Sequence, residues 1–177
     1  MNRRAVLRNI LLFSAGSVIL PSCLHEKTKS SILLRNLQLS SDDEELMAEL
    51  TETIIPKTDM PGAKDLSSHL FVLMMVDDCL STNDQTKFMK GMEQFQSYSA
   101  KRLGKSFVES GPSERKTWVS EVEAKKNLPE ELLSFYSHTK RLTIQSFLSS
   151  KYYLTNVQVY ELVPSRFHGC VPVKNKI

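Results

Sequence analysis

The chain has 177 residues, 23 of them basic, 20 acidic and 41% hydrophobic, enough for one domain around one core. Its formal charge of +3 comes entirely from Arg3, Arg4 and Arg8, which meet no acidic residue before position 23. The rest is neutral, so no electrostatic field gathers phosphates and nucleic acid is not an expected partner.

Arg3 and Arg4 precede an apolar run from Ile10 to Leu20, followed by Pro21-Ser22-Cys23. Eleven residues rise only about 16 Å as a helix, roughly half the hydrocarbon thickness of a bilayer. The run is too short to span and reads as a cleaved export signal over residues 1–22. Leu20-Pro21-Ser22-Cys23 resembles the lipobox of bacterial lipoproteins, which implies that Cys23 becomes a lipid-modified N-terminus. The paired arginines partly match a twin-arginine signal, and ordinary unfolded export stays open. Residues 23–39 mix Lys27, Lys29, Ser30 and Ser31 with little helical period and read as a tether from the membrane to a domain over 40–177.

From Ser40 the chain is punctuated for helices. Ser41 with Glu44 forms an expected capping box, Leu46, Leu50 and Ile54 make a stripe, and Pro56 stops this first helix, 42–55. Pro61-Gly62 lies in a turn. Residues 67–80 contain seven consecutive apolar residues, Leu70 to Val76, which predicts a helix buried on nearly every side in the middle of a bundle. A third helix, from about 82 to Gly104, carries Phe88, Met92, Phe95 and Leu103 inward. Pro112 starts a fourth helix with Trp118, Val119 and Val122 inward, and Pro129 starts a fifth of about twenty residues with Leu132, Phe135, Tyr136, Leu142 and Phe147. Past Ser150 the period fails. A short helix or strap leads to an irregular tail, 164–177. The expected fold is all-α, a single bundle of about five helices with an irregular C-terminal strap.

Signatures of catalysis are missing: no glycine-rich nucleotide loop, phosphate loop or haem-attachment motif occurs. The sequence therefore assigns no catalytic, cofactor-binding or metal-binding residue. His25 falls in the tether, His138 on the surface of the fifth helix, and His69 at a helix end where a hydrogen bond would occupy it. His168 and Cys170 lack the further ligands that a closed metal site needs. The runs Asp42-Asp43-Glu44-Glu45 and Asp77-Asp78 read as helix-end charges rather than acid-base pairs. With Cys23 lipidated, Cys79 and Cys170 remain as an even pair in an oxidising compartment. A disulfide between them, closing a loop worth about 4–5 kcal/mol in the chain-entropy model, is favoured over two free thiols.

Ile54-Ile55-Pro56-Lys57-Thr58-Asp59-Met60-Pro61-Gly62-Ala63 resembles the small subunit, subunit 3 or gamma, of gluconate 2-dehydrogenase and related membrane-bound sugar dehydrogenases. The likeness runs on through Phe71, Asp78-Cys79, Phe88 with Gly91, Gly104-Lys105-Ser106-Phe107 and Lys140-Arg141-Leu142-Thr143. It closes on Arg166-Phe167-His168-Gly169-Cys170-Val171-Pro172 and covers roughly 40–175. One departure is Ser146-Phe147-Leu148-Ser149-Ser150-Lys151, where the family has a Gly-Tyr-x-Thr-Ser turn.

The resemblance implies a subunit without redox chemistry of its own. It accompanies an FAD-containing flavoprotein of the glucose-methanol-choline type, often with a multihaem cytochrome c, and assists its export and maturation. Pro56, Thr58, Asp59, Pro61, Gly62, Arg166 and Gly169 are the expected partner-binding residues. The competing expectation is a stand-alone periplasmic helical lipoprotein serving as a binding or scaffold module. On either reading the protein is exported and held at the membrane facing the periplasm. Cys23→Ala should leave an exported but soluble protein, and unchanged retention in the membrane fraction would argue against the lipid.

Overall fold

The computed structural model describes residues 30–124, 127–158 and Cys170. Five α-helices follow in order: α1 (Ser41–Ile54), α2 (Ser68–Cys79), α3 (Thr82–Leu103), α4 (Pro112–Glu123) and α5 (Glu130–Leu148), then a π-helical turn at Tyr153–Val157. No β-strand occurs among the described residues, so the fold is all-α as expected, and no described helix is long and apolar enough to cross a membrane.

Most of the helix ends follow the sequence signals. Gly104 closes α3 in the left-handed region at φ 74°, where a side chain would be strained, and its N–H returns to the Ala100 carbonyl. Pro112 opens α4, and the Glu114 carboxylate accepts from the Gly111 N–H at 2.7 Å. Three starts differ by a residue, the last being α5, which begins at Glu130 with Pro129 as its N-cap. The capping box of α1 pairs Ser40 with Asp43 rather than Ser41 with Glu44, because Ser40 holds the extended conformation that an N-cap requires. The freed Glu44 accepts instead from Ser31. Helix α2 begins at Ser68 because Ser67 is left-handed, with φ 52°.

The middle of the bundle is α5. It packs against α3, α2 and α1, whereas α2 buries only one face, through Val72, Leu73, Val76 and Asp77, and leaves Met74 43% exposed. The expectation of a fully buried second helix therefore fails. An apolar run longer than a helix face needs can be left open on its far side as readily as covered.

Two contacts fix the packing. Gly91 on α3 lies directly against the α5 backbone, and a Cβ there would collide with the Glu131 carbonyl and with Phe135. Around this crossing the Phe95 ring meets Phe107, Trp118 and Phe135 at centroid distances of 5.2, 6.0 and 5.7 Å. One buried ring thus joins α3, α4, α5 and the segment between α3 and α4. On the other side of α5, the Ser146 hydroxyl donates to the Ser68 hydroxyl at 3.0 Å.

The segment before α1 is bound to the bundle. Leu37 is buried, and Leu34 and Leu39 pack on the core. The Asp77 carboxylate, on a residue only 3% exposed, accepts from the backbone N–H groups of Arg35, Asn36 and Leu37 at 2.7, 2.8 and 2.8 Å. The Asn36 amide also donates to the Asp77 carbonyl at 3.0 Å. Part of the stretch read as tether thus belongs structurally with the domain.

A carboxylate in the last turn of a helix opposes the helix dipole, and burial is the largest single influence against the Asp77 charge. The three N–H groups and the Arg35 guanidinium together outweigh it and hold the carboxyl below the usual aspartate range. The folded state thus binds this proton less tightly than the unfolded chain, whose value lies near 3.8. The resulting stabilisation is complete above that pH and disappears as the pH falls through the lower, folded-state value. Asp77→Asn should lower stability by about 2–3 kcal/mol at neutral pH. Thermal midpoints of the variant and the wild type should converge in strong acid.

Candidate functional site

The 56–65 loop is held from beneath by α1. Glu52, in the last turn of that helix, turns its carboxylate back so that one oxygen accepts from the Lys57 N–H and the other from the Lys64 N–H, both at 2.9 Å. The base closes where the Ala63 N–H reaches the Ile55 carbonyl at 2.9 Å, and Ala63 itself is fully buried. At the tip, the Thr58 N–H donates to the Met60 carbonyl and the Met60 N–H to the Thr58 hydroxyl, a turn within a turn. Lys57 and Asp65 form a salt bridge at 3.1 Å across the loop. The Lys57 ammonium and the Gly62 N–H hold the Asp65 carboxyl below its ordinary value.

Gly62 is required by close approach. A Cβ there would stand 2.5–2.6 Å from the Glu52 oxygens and 2.7 Å from the Lys57 nitrogen, so any other residue would force the loop off its carboxylate. One turn earlier, Glu49 pairs with both Lys64 and Arg115. Arg115 also donates to the Phe107 carbonyl at 2.9 Å and ties the loop's support to α4. Between the loop and the start of α4 lies a groove of about 640 Å3, with Ile54, Pro56 and Pro112 on its walls and Lys57 and Lys116 at its rim.

The expected partner-binding residues divide accordingly. Pro56, Thr58 and Asp59 are exposed, Pro61 is half-buried and Gly62 lies underneath. Their exposed neighbour Met60 presents a large apolar side chain, 45% exposed. Arg166 and Gly169 lie outside the described residues, as do Cys23, His25 and His168. The disulfide expected between Cys79 and Cys170 is not present in the structure, where both are exposed, free thiols.

His69 does not make the helix-end bond expected of it. Its Nδ1 is buried with no hydrogen-bond partner among the described residues. Burial first, and then Lys64, lower its proton affinity against the opposing pull of Glu44, so the ring is neutral at pH 7. His138 is half-buried, and its Nδ1 lies 2.9 Å from the Ser134 carbonyl. No group of three or more metal-ligating residues occurs among the described residues.

The Asp77 clamp and the Glu52 cradle escaped the sequence reading. A carboxylate that binds backbone N–H groups far along the chain leaves no spacing signal, although Glu52 had one weak clue in the small Gly62 that must pass over it.

These elements define a class: a helical bundle presenting a short, rigidly braced surface loop. The family model for gluconate 2-dehydrogenase subunit 3 matches residues 41–164, from the first residue of α1 through all five helices and the loop. The chain belongs to that family, a subunit family of the gluconate dehydrogenase complex. No curated protein and no solved structure matches it.

Glu52→Ala should release the loop without unfolding the bundle. The Lys57 and Lys64 amides should exchange hydrogen at least tenfold faster by mass-resolved exchange while helical circular dichroism stays unchanged.

Proposed function

We propose that this chain is the non-catalytic small subunit of an exported, membrane-associated, FAD-dependent sugar or alcohol dehydrogenase of the gluconate type. On this reading it assists the export, maturation or anchoring of the flavoprotein subunit. The family match over 41–164 carries the proposal, because it takes in the braced loop whose outward residues Pro56, Thr58, Asp59 and Met60 are exposed rather than packed in the core. A loop stiffened by Glu52 and Glu49 of α1, with Arg115 of α4 bracing Glu49, loses little entropy on binding, which suits it to gripping a second polypeptide.

The chemistry belongs to the partners: FAD in a glucose-methanol-choline-type flavoprotein and, where present, haem c in a cytochrome subunit. This chain contributes its leader, a lipid on Cys23, and the surfaces that hold the flavoprotein at the periplasmic face. A disulfide between Cys79 and Cys170 completes the proposal; both are free in the structure and exposed, and exposed thiols are open to oxidation.

A tagged full-length chain recovered from membranes of its native cell should bring down a large flavoprotein, visible as yellow flavin absorbance in the eluate. A chain that always elutes alone and colourless overturns the subunit reading and favours a stand-alone lipoprotein.

A further inference from the structure

Away from the loop, a second groove of about 600 Å3 lies between the end of α4 and the outer face of α5, a volume suited to anchor side chains. Its apolar wall is Leu133, Tyr136 and Ile144. The Tyr136 hydroxyl donates to the Glu123 carboxylate at 2.6 Å, and the Lys140 ammonium donates to the same oxygen at 2.5 Å. Burial, and then the bond to Glu123, push the Tyr136 hydroxyl far above the ordinary phenol range. It remains a donor, and the aromatic wall is fixed in place before anything binds.

Lys140 cancels the charge of Glu123. Arg141, also lining the groove, is exposed and has no carboxylate partner among the described residues. Among the described residues the groove therefore carries one uncompensated positive charge. Along the same helix Ile144 and Leu148 are 40% and 45% exposed, three and seven residues after Arg141 and thus on neighbouring turns. Aliphatic side chains spaced by a turn, beside a free guanidinium, match an amphipathic helix laid in a groove. Charge complementarity then requires that helix to be acidic.

We propose that this groove seats an acidic amphipathic helix of the partner polypeptide. An aliphatic or aromatic side chain enters against Leu133, Tyr136 and Ile144, and a carboxylate one turn away pairs with Arg141. The inference rests on the subunit reading and adds to it a second docking surface and the chemistry of the segment that fills it.

The test uses the full-length chain co-expressed with the flavoprotein subunit of its complex. Arg141→Glu reverses the free charge, and Ser137→Trp fills the groove from an exposed helical position. Each should cut flavin co-recovery at least tenfold with thermal melting unchanged. A benzophenone amino acid at position 137 should crosslink to a partner peptide carrying Asp or Glu within four residues of a large apolar side chain. Wild-type recovery of flavin with undiminished recovery by both variants overturns the groove while leaving the subunit reading intact. A crosslink to residues 159–177 of the same chain, or to a second copy, overturns it likewise by naming another occupant. A wild type that recovers no flavoprotein sinks the subunit reading and this inference together.

Discussion

The crossing of α3 over α5 at Gly91 sets the architecture. Because residue 91 has no side chain, the α3 backbone settles onto Glu131 and Phe135, and that closeness brings Phe88 within 4.9 Å of Phe135 and Phe95 within 5.7 Å, centroid to centroid. The rings then reach outward to Phe107 and Trp118, so the 104–111 connection and α4 are placed by the same cluster. Once α5 occupies the centre, its remaining surface has two fates. One flank receives α2 through Ser68 and Ser146, and the other, beside Glu123 and Lys140, is a groove among the described residues.

Segments outside the helices are ordered by a different device, used twice. Asp77 gathers three consecutive backbone N–H groups, and Glu52 gathers two that are seven residues apart. A carboxylate accepting several N–H bonds is stronger than the equivalent neutral contacts, and it satisfies backbone donors that no helix or sheet provides for. Both acids sit near the C-terminal ends of their helices, where the dipole disfavours negative charge. The non-helical backbone they bind supplies the compensation.

Five helices, their approximate limits and the cap at Gly104 were legible in the sequence, because each rests on local chemistry: a 3.6-residue period, a proline without an N–H, a glycine able to turn left-handed. Membership of the family was legible in the decapeptide 54–63. What failed depends on contacts remote in sequence. The seven apolar residues of α2 suggested encirclement, yet α5, with its mixed composition, took the centre, since helix order in a bundle is decided by which faces match rather than by total hydrophobicity. The Ser40 cap moved by one residue because neighbouring serines compete for it and Asp43 sits at the reciprocal distance from the first. The binding of 34–39 was hidden because Leu34, Leu37 and Leu39 alone do not announce a surface to pack on.

The clamp at Asp77 would also set the reach of any anchor attached at Cys23. With Arg35 to Leu37 fastened to α2, six residues, 24–29, lie between Cys23 and Ser30, a span of seven Cα–Cα steps. Fully stretched, these reach only about 25 Å. A lipid at Cys23 would therefore confine the bundle to a layer about one protein diameter deep, however the intervening residues are arranged. Confinement of that kind replaces a search through volume by a search across a plane. It would raise the effective concentration of the proposed docking surfaces towards any neighbour in the same leaflet without adding a single contact.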